Sequence, residues 1–281
     1  MKASGNGSMR MNILKTDAAG SGSWMHYLAN DQREFKTGNT FYVQFRQYFP
    51  QYYANHSFKG TSSTYANGWK QAIISNHRGS NQLFEVVLQN TNHRSLVQGY
   101  NRNSDGSYLG WETNANTKCS SSDFVYQNKI DRGGVENTCL DSRRKRGGLY
   151  SYGNNKNGPD PETGAFIFYP DEWLTFLVKI SPGTFGGGTS KTDTNIQVWA
   201  ARASATSYTL LNDVMVNLGA ESGYFFDAIW LLPYNTERAA DPTRSDTFTL
   251  YDELIVSTNF IQPPNSGDAL APRPPTSLAA Q

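Results

Sequence analysis

The sequence predicts an all-β fold, a jelly-roll β-sandwich of two antiparallel sheets, on three observations. Short segments alternate apolar and polar residues with the two-residue period of a strand, clusters of Gly, Asn, Ser and Pro separate them, and no segment holds a helical period for three turns. Composition agrees: 16 Tyr and 15 Phe bring aromatics to 13%, beside 25 Gly. Aromatic residues favour strands, and abundant glycine favours the turns between them. A chain of 281 residues has room for one large all-β domain or two small ones. No repeat of solenoid or propeller length is visible.

Strands are expected at 9–14, 41–49, 69–75, 83–90, 95–101, 165–169, 173–180, 194–202, 208–216, 224–232 and 246–257. The clearest is FYVQFRQYFP, residues 41–50, where Phe41, Val43, Phe45 and Phe49 share one parity and Tyr42, Gln44, Arg46 and Tyr48 the other. A solvent face needs no aromatic rings, so two tyrosines, an amide and a guanidinium suggest a surface that touches something. In GWKQAIIS the parity is ambiguous, because Trp69, Gln71 and Ile73 compete with Lys70, Ala72 and Ile74. FTLYDELIVST reads as the closing strand, and an acid on either of its parities must face a groove, an edge or a partner. NSDGSYLGWETNANTKCSSS and SYGNNKNGPDPETG read as loops, with a short helix allowed near 120–130. GTFGGG lacks the Lys-Ser/Thr and the following helix of a phosphate loop.

The domain is expected over 9–258, between a flexible N-terminal arm, 1–8, and a Pro-rich C-terminal linker or docking arm, 259–281. These arms are the segments through which a homo-oligomer, virion or surface assembly would be held. The N-terminus lacks the apolar core of a signal peptide, and no run of 18 apolar residues spans a membrane. Cys119 and Cys139 read either as buried free thiols or as a disulfide. A bridge closing that excursion would stabilise it by roughly 3 kcal/mol and imply an oxidising compartment.

Taken together, FYVQFRQYFP, GWKQAIIS, FEVVLQNTNHR, YPDEWLTFLVKI, IQVWAAR, IWLLPYNTER and YDELIVST resemble the concanavalin A-like lectin and glucanase superfamily, in particular secreted or phage-borne proteins akin to polysaccharide lyases. The resemblance covers residues 8 to 258. It implies two sheets packed face to face, one curved into a concave groove that binds an extended glycan. On that basis Phe41, Val43, Phe45, Phe84, Val86 and Leu88 face the other sheet. The expected glycan contacts are Tyr42, Gln44, Arg46, Tyr48, Lys70, Gln71, Glu85 and Gln89.

Three functions follow as expectations: a glycan-binding protein outside the cytoplasm, on a cell surface or virion; a lyase cleaving a uronate polysaccharide by β-elimination; or a structural protein of a larger assembly. Elimination needs a group to neutralise the carboxylate beside the C5 proton and a base to remove that proton. Arg46, Gln44, Gln71 and Gln89 are candidates for the first role, and Tyr42, Tyr48, Tyr100, Tyr234, His77 and His93 for the second. Arg46, Gln71, Tyr234 and His93 form the expected catalytic set. The remaining histidines, His26 and His56, read as surface or loop residues. A retaining glycosidase needs two carboxylates about 5 Å apart. No strand carries them, which leaves Glu85 opposite Glu253 or Asp252 as the open pairing.

The expected partner is a polysaccharide, most naturally an acidic one. With 25 Lys plus Arg against 24 Asp plus Glu, overall charge gives no reason to expect nucleic acid. The one basic cluster, Arg143, Arg144, Lys145 and Arg146, reads as a solvated loop or a grip on an acidic polymer. No serine-hydrolase elbow, zinc-protease helix, paired CxxC or EF-hand loop occurs, so no cofactor or metal is expected.

Overall fold

Twelve strands and one short helix follow in order: β1 (Met9–Ile13), β2 (Trp24–Tyr27), β3 (Phe41–Tyr48), α1 (Gln51–Asn55), β4 (Trp69–Ser75), β5 (Phe84–Thr91), β6 (Arg94–Arg102), β7 (Tyr108–Gly110), β8 (Trp173–Ser181), β9 (Thr194–Arg202), β10 (Thr209–Val216), β11 (Ala228–Tyr234) and β12 (Thr247–Ser257). The computed structural model describes residues 3–4, 6–18, 24–27, 35–36, 38–55, 60, 69–76, 84–91, 94–102, 108–110, 171–183, 194–216, 226–235 and 238–264. The expected strand at 165–169, the helix near 120–130, Cys119, Cys139 and the basic cluster at 143–146 lie outside these residues.

The first sheet runs β1-β12-β3-β8-β9-β10 and the second β2-β11-β4-β5-β6-β7, with every pairing antiparallel. β1 pairs with β12 and β2 with β11. The chain's two ends are thus wrapped together from outside inward, as in a jelly roll. Two strands depart from expectation. β2 is four residues long, too short to display a period, and β7 falls within a stretch whose Ser, Asp and Gly content reads as loop.

The core lies between the sheets. Phe41, Val43, Phe45 and Phe49 from the β3 segment join Phe176, Val178 and Ile180 of β8 and Ile196, Val198 and Ala200 of β9. Against them pack Trp69, Ala72 and Ile74 of β4, Val86 and Leu88 of β5, and Ile229 and Leu231 of β11. Phe45 stacks on Phe176 at 5.4 Å between ring centroids and meets Tyr251 at 6.1 Å. The β11–β12 connection is tied to the end of β1 by two buried arginines, Arg238 Nη1 donating to Leu14 O at 3.1 Å and Arg244 Nη1 to Ile13 O at 3.2 Å. Burial and the neighbouring Arg244 charge push Arg238 down to about 10, so it stays protonated at neutral pH.

Besides a register shift on β10 between Leu210 and Asn212, two β-bulges bear on the charged residues of the outer faces. On β4, Lys70 pairs with Gln89 and Ala72 with Leu88, so Gln71 is an extra residue; on the other side Lys70 pairs with Tyr234 and Ala72 with Leu231. Pro233, with no N–H to give to a ladder, falls in the corresponding irregular stretch of β11. Across this bulge Trp69, Ala72 and Ile74 all reach the core, while Ile73 joins Val87 and Leu232 on the opposite face. Neither parity read from the sequence is kept throughout. β12 behaves alike: its register jumps between Asp252 and Ile255, and Glu253 takes a left-handed φ of 49°.

Gln71 itself points between the sheets. Its Nε2 donates to Gln47 Oε1 at 3.0 Å, and Gln47 Nε2 donates to Thr249 Oγ1 at 3.1 Å and to Tyr251 OH at 3.0 Å. Gln71 Oε1 alone of these buried side-chain atoms has no hydrogen-bond partner.

Phe45→Ala is expected to cost about 3–5 kcal/mol, the range for removing a fully buried aromatic ring. Urea denaturation checks it, and a loss below about 1 kcal/mol would mean that Phe45 is not packed as described.

Candidate functional site

Each sheet has an outer face turned away from its partner, and the two faces differ in what they do with their polar groups. On the first sheet, parity puts Tyr42, Gln44, Arg46 and Tyr48 outward, because Phe41, Val43 and Phe45 fill the core. Arg46, Gln44 and Tyr48 each have a polar partner within the chain, although the buried Arg46 Nε has none. Arg46 Nη1 pairs with Glu253 Oε2 at 3.0 Å, with Glu253 carried there by the β12 bulge. Tyr208 OH donates to Gln44 Oε1 at 2.9 Å, and Tyr48 OH to Asp171 Oδ1 at 2.9 Å.

The same face is covered from both chain ends. Asp252 Oδ2 accepts the Ala3 and Ser4 backbone N–H groups at 2.8 and 3.3 Å. Phe260 stands edge-on to Tyr42, Trp199 and Tyr208 at 5.7 to 6.1 Å. Burial raises the Tyr48 phenol to about 12, helped by the hydrogen bond to Asp171 and that carboxylate's charge. Burial also raises Tyr208, opposed by the charge of Arg46. Neither phenol is disposed to lose its proton near neutrality, and Arg46 is already committed to a carboxylate.

The outer face of the second sheet is arranged differently. Lys70 is flanked in register by Tyr234 on β11 and Gln89 on β5. Its ammonium stands 5.2 Å from the centre of the Tyr234 ring, within cation–π range. Lys70 makes no ion pair with a described residue. Beside this row Ile73, Val87 and Leu232 form an apolar cluster against which the half-buried Trp230 and Tyr234 pack. Glu85, register partner of Ser75, completes the described part of this face. Burial raises its pKa, and the positive charge of Lys70 pulls it partly back, which places the two groups in one electrostatic neighbourhood.

The single groove expected from sequence is therefore divided. Tyr42, Gln44, Arg46 and Tyr48 occupy one outside of the sandwich, while Lys70, Glu85 and Tyr234 occupy the other. Gln71 reaches neither, because its bulge turns it into the buried network with Gln47. Gln89 has its place on β5, but its side chain is not among those described; His77 and His93 also lie outside the described residues. Pairing Glu85 with Glu253 or Asp252 is corrected too, since these carboxylates stand on opposite sides of two packed sheets.

Sequence reasoning missed Tyr208, Phe260 and Trp230. Trp230 alternates with Leu232 and Tyr234 in AIWLLPY, a signal available to a parity reading. Tyr208 and Phe260 lie just outside strands, where no period marks them. No group of three or more His, Cys, Asp or Glu suited to a metal occurs among the described residues.

No family model and no curated protein matches the chain. Among solved structures it is similar to an endo-β-1,4-glucuronan lyase from the fungus Trichoderma reesei, at 10% identity over 92% of this chain and 83% of that one, with a TM-score of 0.46. It is also similar to the alginate lyase vAL-1 from Chlorella virus, at 9% identity over 89% and 84% with a TM-score of 0.44, and to the alginate lyase from Klebsiella pneumoniae, at 9% over 89% and 81% with a TM-score of 0.44. At such low identity, function is argued from this chain's own residues.

The environment of Glu85 gives a pH-dependent expectation. A carboxyl whose pKa is higher folded than unfolded favours the folded state below the unfolded value, about 4.3, and that advantage is lost as pH rises through the folded value. Glu85→Gln should therefore raise the melting temperature at neutral pH and leave it little changed below about pH 4. Thermal melts of both proteins across that range check it; a gain that does not vary with pH would remove burial of the carboxylate as its cause.

Proposed function

We propose that the chain is a polysaccharide-recognising protein that takes an acidic, uronate-containing glycan on the outer face of the second sheet. The observation that carries this is the Tyr234–Lys70–Gln89 register row beside Trp230. A lysine without an ionic partner among the described residues offers a carboxylate a charge-assisted hydrogen bond. Aromatic rings such as Trp230 and Tyr234 offer sugar C–H faces an apolar surface with a polar tip. The first sheet's outer face, with Arg46 Nη1, Gln44 Oε1 and Tyr48 OH engaged internally, suits the chain's self-contacts better than glycan capture. Uronate polymers of cell walls and capsules lie outside the cytoplasm, so an extracellular or surface location follows from this reading.

Binding is tested with uronate oligosaccharides and the same oligosaccharides after carboxyl reduction. The intact protein should prefer the charged form, and Lys70→Ala should weaken that binding roughly tenfold, the equivalent of one charge-assisted contact. Equal affinity for the two ligands, or an unaffected Lys70→Ala variant, would defeat the assignment of this face.

The lyase reading draws specific support from Tyr234 lying beside Lys70. In that chemistry Lys70 offsets the charge of the uronate carboxylate, a base takes the C5 proton, the C5–H electrons form the C4–C5 double bond, and the C4–O bond breaks. The leaving oxygen then takes a proton from an acid, for which the Tyr234 hydroxyl is the candidate. Ultraviolet absorbance of the conjugated product should grow with time and disappear in Tyr234→Phe. A flat trace with folded protein that still binds the uronate leaves recognition without elimination.

A further inference from the structure

We propose that Gln71, Gln47 and Tyr251 are positioning residues, which hold the β4 bulge in the form that stands Lys70 beside Tyr234; as a role in recognition, this rests on the second-sheet face being the glycan site. In a regular strand, residues three apart point to opposite faces. Lys70 and Ile73 nevertheless share the outer face, because Gln71 is inserted between the paired positions Lys70 and Ala72. Were β4 to become regular, either Lys70 would turn into the sandwich or Ile73 and its neighbours would change sides. The outward lysine therefore depends on whatever stabilises the extra residue.

Gln71 has no register partner on either neighbouring strand, and its stabilisation comes from across the sandwich. Its backbone carbonyl accepts the Tyr251 hydroxyl at 3.0 Å, while its side-chain amide donates to Gln47. Gln47 returns to Tyr251 OH and to Thr249, and Thr249 Oγ1 donates to Tyr48 O at 2.8 Å. All of these groups are buried, where an unpaired carbonyl or amide costs about 1–3 kcal/mol. Burial holds the Tyr251 phenol well above its ordinary value, so it remains a proton donor to the bulge. Two strands of the first sheet, β3 and β12, thus fix the local shape of the second.

The test uses Tyr251→Phe, which deletes one oxygen, and Gln71→Met, which keeps the side-chain length; if one fails to fold, the other carries the experiment. Two readouts are taken on the full chain. The first, without ligand, is the Lys70 side-chain signal in protein labelled with carbon-13 lysine, assigned by its loss in Lys70→Arg. In the parent protein the Tyr234 ring should shift it upfield, and in the variants it should move to the position of an exposed lysine. The second is the ratio of affinities for a uronate oligosaccharide and its carboxyl-reduced form, expected to fall roughly tenfold. General loosening of the fold would weaken both ligands together and leave the ratio unchanged. A folded variant that keeps both the Lys70 signal and the ratio of the parent overturns the proposal. If the Lys70 signal moves as expected while the parent shows no uronate preference, the positioning role stands and the glycan assignment of the face falls.

Discussion

A glutamine side chain enclosed between two apolar sheets must find hydrogen-bond partners there or leave polar atoms desolvated. Gln71 meets that demand across the sandwich, through Gln47 and the Tyr251 hydroxyl, and much of the geometry described above depends on it. Apolar packing of Phe45, Phe176, Ile74 and Leu88 is strong but non-directional, and it tolerates some sliding of one sheet over the other. A hydrogen-bond network does not. The bonds from β4 to β3 and β12 fix the relative position of the sheets at one place, and that place is where β4 and its neighbour β11 are irregular.

One bulge in each sheet re-aims a charged side chain, with opposite outcomes. The β12 bulge brings Glu253 to Arg46, producing an ion pair on the first sheet's outer face. The β4 bulge brings Lys70 outward without a carboxylate in ion-pair reach among the described residues. Bulges are a common means of re-aiming a side chain. What distinguishes these two is whether the re-aimed charge has an ion-pair partner among the described residues: Arg46 has Glu253, and Lys70 has none.

The sequence made the sandwich legible because its long strands are regular over most of their length. In β3 the run from Phe41 to Phe49 alternates with Gln47 as its one polar residue on the inward parity, and the structure keeps that parity. β8 and β9 are similarly readable, with Phe176, Val178, Ile196 and Val198 at every second place. Legibility fails where one inserted residue changes the phase. In GWKQAIIS the competing parities are both partly right, Trp69 belonging to one and Ala72 and Ile74 to the other, and this is the mark a bulge leaves on an amphipathic pattern. The sequence also could not say that the polar sides of β3 and β4 face opposite outsides, because strand parity separates core from exterior without saying which sheet a strand joins.

Charge on the two faces follows from the same limits on burial. Arg46 is only 8% exposed, and an arginine so enclosed requires a partner, which Glu253 supplies by adopting a left-handed backbone conformation that a non-glycine residue seldom takes. Lys70 is half-buried and keeps its ammonium hydrated or over the Tyr234 ring, so it is under no such compulsion. A buried cation must be neutralised when the chain folds, whereas a partly exposed one can await a ligand. By that reasoning the guanidinium that looked most like a recognition group in the sequence is the one folding uses up, whereas the lysine in the ambiguous strand has no ion-pair partner among the described residues.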